Sequence, residues 1–165
     1  MATFQRIVPC LWFDSEAEEA ANFYVSLFEN ARVSRITRFT GAGQEIHGKA
    51  EGSVMTVEFF LNGQEYTALN GGPHFKFNEA ISLQVLCETQ EEVDMYWSRL
   101  VENGGQESMC GWLKDKFGLS WQIVPIALAE MLNDPTPGKA QAVMQAAMTM
   151  RKVDIAELRR AYAEA

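Results

Sequence analysis

The chain repeats itself, and this duplication limits its fold more than any other feature. Residues 7–13 form an apolar run that reads as a strand. Asp14 and Ser15 then open a helix, where Ser15 and Glu18 have the spacing of a capping box, each side chain satisfying a free backbone N–H of the first turn. Ala17, Ala20, Ala21, Tyr24, Leu27 and Phe28 recur at helical spacing and define one buried face. Residues 33–39 alternate apolar and polar side chains, and residues 54–61 and 64–69 flank Asn62-Gly63, a pair that tolerates the positive φ angles of a tight hairpin. The series then returns. Residues 80–86 read as a strand, Thr89 and Glu92 as a second capping box, and Val93, Tyr96, Trp97, Leu100 and Val101 as a second helix face. A stop at Gly104-Gly105, a short strand and a hairpin about Phe117-Gly118 complete it.

A shift of about 73 residues lays Phe23-Tyr24 on Tyr96-Trp97, Leu27 on Leu100 and Glu29-Asn30 on Glu102-Asn103. The hairpins match at a shift of about 55, with Gly63 on Gly118, because the first copy carries an extra glycine-rich loop at residues 41–53. Two unrelated segments with chance identities are the alternative. The shared order of capping box, helix face and hairpin favours duplication. The expected fold is α+β, one compact domain of two βαβββ halves, residues 1–72 and 73–128, with a helical C-terminal extension at 129–165. In the extension, the breakers from Asp134 to Gly138 precede a helix that Thr136 could cap with Pro137 at its first position. Ala140, Val143, Met144, Ala147 and Met148 form an apolar stripe, expected to pack on a partner subunit or across the outer sheet. Asp154 and Glu157 start a last short helix.

A formal net charge of −8 disfavours a nucleic-acid backbone or an anionic membrane surface as partner, since no basic excess exists to displace counterions. No apolar run reaches membrane-span length, and residues 1–13 show no secretory pattern, so a cytoplasmic protein is expected. Cys10, Cys87 and Cys110 form no CxxC pair and read as reduced thiols. His47 and His74 are the only histidines, which rules out a His-rich metal site.

The segments Leu11-Trp12-Phe13-Asp14, Asn70-Gly71-Gly72-Pro73 and the run from Cys110 to Pro125 resemble the PhnB-like branch of the vicinal-oxygen-chelate (glyoxalase/bleomycin-resistance) superfamily. That branch is often catalogued as 3-demethylubiquinone-9 3-methyltransferase. The resemblance covers nearly the whole chain; Cys10 departs from the Phe expected beside the Leu-Trp-Phe-Asp motif. It implies mixed sheets curved around a cavity and a homodimer. Against a conventional methyltransferase, no G-x-G follows the first strand, and Gly41-Ala42-Gly43 opens a loop with no helical pattern behind it. In metal-dependent relatives, a divalent ion is held by the first and last strands of each half. By motif, these positions fall near Ile7, Thr67, Ala80 and Gln122. Ile and Ala cannot coordinate and Thr does so poorly, so no cofactor is expected, with a divalent ion as the alternative. A register shift of one residue would bring in Cys10, Glu65 or Asn70.

Strand alternation then sorts the cavity. Ala80, Ser82 and Gln84 are expected to face inward, with Ile81, Leu83 and Val85 against the helix; Ser120, Gln122 and Val124 also face inward. In the first half Ile7, Pro9, Leu11 and Phe13 would point in, opposite Glu65, Thr67 and Leu69. Thr67, Ser82, Gln84 and Gln122 are therefore the candidate ligand-binding residues, since a few polar groups in an apolar concavity suit a small molecule. The glutamines could instead satisfy backbone or each other. Glu65 and His74 are the candidate acid–base pair, although His74 also reads as a solvated linker residue. Glu58, Cys110 and the loop bearing Glu45 and His47 are weaker candidates. The leading reading is a dimeric small-molecule-binding protein without a metal; the alternatives are a glyoxalase- or dioxygenase-type enzyme with a divergent site, and a structural interaction protein.

Overall fold

The computed structural model describes residues 4–165 and divides into two compact units, Met1–Lys76 and Phe77–Ala165. The first unit comprises β1 (Cys10–Phe13), α1 (Ala17–Val25), β2 (Ala31–Arg38), a short α2 (Gln44–His47), β3 (Val54–Leu61) and β4 (Gln64–Asn70). The second comprises β5 (Leu83–Cys87), α3 (Gln90–Val101), β6 (Gln106–Glu107), β7 (Trp112–Lys114), β8 (Ser120–Pro125) and the helices α4 (Ile126–Leu132), α5 (Lys139–Met148) and α6 (Ile155–Glu164). Each unit contains a four-stranded mixed sheet, in the orders β1-β4-β3-β2 and β5-β8-β7-β6, so the same topology occurs twice. In both, the first strand runs parallel to the last and the other pairings are antiparallel. The expected α+β architecture with a helical tail is what the chain adopts. Among the described residues, no helix is long and apolar enough to cross a membrane.

One helix covers one face of each sheet. Ala17, Ala20, Ala21 and Tyr24 of α1 are buried over Val57, Phe59 and Ala68, and the Phe59 ring stacks on Tyr66 at 5.5 Å. In the second unit Val93, Trp97 and Leu100 of α3 cover the face carrying Leu113, Trp121 and Ile123. The first hairpin turns where expected, with Asn62 and Gly63 both at positive φ.

The capping of α1 differs from the expectation. Ser15 and Glu18 form no capping box; Asn70, at the end of β4, is buried, and its Oδ1 accepts the Ala17 N–H at 2.8 Å while its Nδ2 donates to the Val54 carbonyl at 3.1 Å. The next residue, Gly71, lies so close to the Trp12 indole that a Cβ there would sit 2.2 Å from the ring. Gly72 then adopts φ +94°, and its carbonyl accepts the Trp12 indole N–H at 2.9 Å. The two conspicuous motifs of the first half are thus two sides of one joint. The Thr89 cap forms as expected: its hydroxyl accepts the Glu92 N–H at 3.2 Å, and Glu92 reaches back to the Glu88 N–H.

Four further expectations are corrected. β1 starts at Cys10 rather than Ile7, which is 85% exposed; before it, the Gln5 side chain stands in for a strand by bonding both the N–H and the C=O of Glu65. β5 starts at Leu83, leaving Ile81 exposed in the preceding bend rather than packed on the helix. The glycine-rich loop contains α2, capped at both ends by left-handed Gly43 and Gly48. α5 starts after Gly138, not Thr136, because the Asp134 carboxylate draws the Thr136 N–H into a local turn.

The tail docks within its own unit. Leu128, Val143, Ala147, Val153 and Leu158 bury one another, with Cys110 and Val124 at the margin. The strap between α5 and α6 is anchored where Cys110 and Gly111 donate to the carbonyls of Met150 and Arg151, and where the Gln90 amide bonds both Val153 and Ile155. Met144 and Met148, expected in the packed stripe, face solvent. The Tyr162 hydroxyl donates to Asp134 and, with Thr136, holds that carboxyl down at about 2.

Two outcomes follow. Asn70→Ala would strand an N–H and a C=O, and should lower unfolding free energy by about 1–3 kcal/mol in urea titrations. A carboxyl held below its free value of 3.8 stabilises the fold above that pH and loses the contribution as pH falls through about 2. The urea midpoint should therefore drop more steeply between about pH 4 and about pH 2 in the native chain than in Asp134→Asn.

Candidate functional site

Each sheet has one face turned away from its helix, and the candidate residues distribute between these two open faces. On the first sheet the parallel register pairs Cys10 with Thr67 and Trp12 with Leu69. Cys10 and Trp12 therefore share the open face with Thr67 and Leu69, while Leu11 and Phe13, expected to point inward, are buried beneath α1. A one-residue slip in reading β1 exchanges every side chain between faces. Thr67 stands in a cross-strand row running Arg35, Glu58, Thr67, Cys10. Glu58 is half-buried and gripped by a two-pronged Arg35 fork, with Nε to Oε2 at 2.9 Å and Nη2 to Oε1 at 2.6 Å. Burial pushes the Cys10 thiol above its ordinary value.

The acid–base pair is not assembled within this unit. Glu65 lies at the start of β4 and His74 beyond its end, on the order of 17 Å of extended chain away from Glu65 to Asn70 alone. His74 is exposed beside Gly72. His47 serves its own loop: its Nδ1 accepts the Lys49 N–H at 2.9 Å and its ring packs on Phe39.

The second sheet gathers three of the four ligand-binding candidates. Gln84 pairs with Gln122 in register; its Nε2 donates to the Gln122 Oε1 at 3.3 Å, and the Gln122 Nε2 donates to the Ser82 hydroxyl at 2.8 Å. This relay leaves an amide oxygen on Gln84 and a hydroxyl hydrogen on Ser82. Trp112 pairs with Gln122, and the neighbouring row runs Gln106, Lys114, Ser120. Gln106, Trp112, Lys114 and Ser120, with Glu79 and Glu107, border a groove of about 360 Å³. Lys114 is ion-paired with Glu79, whose carboxyl this contact holds below its usual range. Sequence reading missed Lys114 and Glu79. Alternation from Trp112 would have placed Lys114 on the open face; nothing local reveals Glu79 as its partner.

The hairpin between β7 and β8 is shaped by Asp115. This carboxylate is 2% exposed and accepts the N–H groups of Phe117 and Leu119 on Oδ1, at 2.8 and 3.0 Å, and the Trp121 indole on Oδ2 at 2.9 Å. It fixes Lys114 and Ser120 at the two arms of the turn. Burial raises the Cys87 thiol to about 12, so it serves packing rather than nucleophilic chemistry.

The positions to which the resemblance assigns the metal fall near Ile7, Thr67, Ala80 and Gln122. Ile7 and Ala80 offer hydrocarbon, Thr67 and Gln122 only neutral oxygens, and no three His, Cys, Asp or Glu side chains converge among the described residues.

A family model described as 3-demethylubiquinone-9 3-methyltransferase matches residues 5–124. The chain belongs to this family. The match agrees with the PhnB-like resemblance of the sequence motifs. A solved PhnB protein from Bacillus cereus, titled a putative 3-demethylubiquinone-9 3-methyltransferase, is 38% identical, with a TM-score of 0.65 over 73% of this chain and 99% of that one. Protein PA1353 from Pseudomonas aeruginosa (17% identity, TM-score 0.58, 74% and 98% covered) shares the fold. So does the fosfomycin resistance protein FosX from Listeria monocytogenes (16% identity, TM-score 0.50, 81% and 100% covered). No curated protein matches the chain. The family match ends within β8, so α4, α5 and α6 extend this family member beyond it.

Asp115→Ala would leave three donors without their acceptor. The variant should lose about 3 kcal/mol of unfolding free energy, with matching loss of Trp121 near-UV dichroism.

Proposed function

We propose that this protein binds a small organic molecule on the open face of its second sheet, without a divalent metal. The observation that carries the reading is the Ser82–Gln122–Gln84 relay beside the 360 Å³ groove. Side chains that satisfy one another while keeping a spare donor and acceptor orient a ligand at little reorganisation cost. The half-buried Trp112 supplies apolar contact next to them. Exposed Ile81 and Leu86 in the same unit support a homodimer that covers them, and the acidic balance supports a cytoplasmic protein with no nucleic-acid or membrane partner.

The methyltransferase activity in the family's description is not the reading the geometry favours. Two four-stranded mixed sheets lack the doubly wound parallel sheet, with its glycine-rich turn, on which conventional methyl-donor binding rests. A glyoxalase- or dioxygenase-type reaction would need an ion-binding set that the four positions do not supply.

Native mass spectrometry of the purified chain should retain a small organic adduct. The adduct should survive chelator treatment and dissociate in Gln122→Leu. A bare polypeptide mass, or an adduct lost on chelation, would overturn the proposal.

A further inference from the structure

The groove described above is lined by one cation, Lys114, and two carboxylates, Glu79 and Glu107, of which Glu107 is held by the Trp97 indole N–H and by Arg151. Lys114 stands on β7 in the row with Gln106 and Ser120, so its position is set by the sheet ladder and by the Asp115 turn beside it. Its partner Glu79 is on no strand: it sits in the turn before β5, with its side chain 60% exposed. Ser120 is 1% exposed and borders the groove. A strand-borne ammonium, a buried donor and the Gln106 amide thus face a space that a side chain from a surface turn only partly fills.

We propose that the ligand of this face carries a carboxylate that displaces Glu79 from Lys114, with its apolar body lying against Trp112. This rests on the small-molecule reading and names the substrate class of that site. In the free protein, Glu79 stands in for the ligand's acid group. An exposed ion pair contributes little to stability, so exchanging one carboxylate for another on Lys114 is close to balanced. The incoming acid also gains the Ser120 hydroxyl and a Gln106 amide N–H, which gives it the margin over Glu79. A cationic ligand would meet Lys114, and a neutral one would leave Glu79 in the groove. The net charge of −8 opposes an anion at long range, but at physiological salt screening acts over about 8 Å and the Lys114 ammonium dominates within the groove.

Benzoate, benzamide and benzylamine serve as probes of equal shape and different charge. Titration of the full chain is followed by the side-chain amide resonances of Gln84, Gln106 and Gln122. Benzoate should bind at least about tenfold more tightly than benzamide, and benzylamine should not bind. Glu79→Gln should tighten benzoate by about tenfold with benzamide unchanged, a gain that an unfolded variant cannot mimic; Lys114→Met should abolish the preference and Ser120→Ala should weaken benzoate. Benzoate binding no better than benzamide, or unaltered by Glu79→Gln and Lys114→Met, would overturn the proposal. If benzamide shifts these resonances and benzoate does not, the carboxylate inference falls while small-molecule binding stands. If none of the three probes shifts them, both fall.

Discussion

The first unit depends on one joint, where the end of β4 meets the start of α1. Asn70 replaces the local cap that the helix lacks, because a buried helix N-terminus must have its N–H groups satisfied from somewhere. The same few residues seat Trp12: Gly71 gives room for the ring and the Gly72 carbonyl receives its N–H. Strand, helix and turn are therefore fixed by one side-chain amide and one indole. The joint also sets the register of β1 on β4, and with it which residues reach the open face of that sheet.

The second unit solves the same problem with different chemistry. α3 is capped locally by Thr89, so the end of its last strand is free to run on into α4. Its rigid point is Asp115, which ties the hairpin to Trp121 in the core. The tail helices then bury Val143, Ala147 and Leu158 against Leu128 and Val153, a small core beyond the reach of the family match. Duplication supplied two sheets of one topology. Divergence left one with an ion-paired Arg35–Glu58 face and the other with an amide relay and a groove.

Much of this was legible along the chain. Hairpins, the faces of α1 and α3 and the Thr89 cap are local, set by residues a few positions apart. Gln84 and Gln122 were legible because alternation within β5 and β8 places them on one face and a parallel register pairs them; Ser82, just before β5, continues the same alternation and meets Gln122. Leu11 and Phe13 were misplaced because an apolar strand alternates in neither direction, so its facing depends on the partner. Ser15 and Glu18 have the right spacing for a cap, yet Asn70, far away in sequence, competes successfully for the Ala17 N–H.

By itself, then, the sequence determined the order of elements, the duplication and the family, because periodicity, turn residues and motif spacing act over short stretches of chain. Tertiary structure alone decided which face of β1 is open, what caps α1, and that Glu79 meets Lys114. Each of those outcomes depends on the register between segments distant in sequence, and no local pattern of side chains encodes that register.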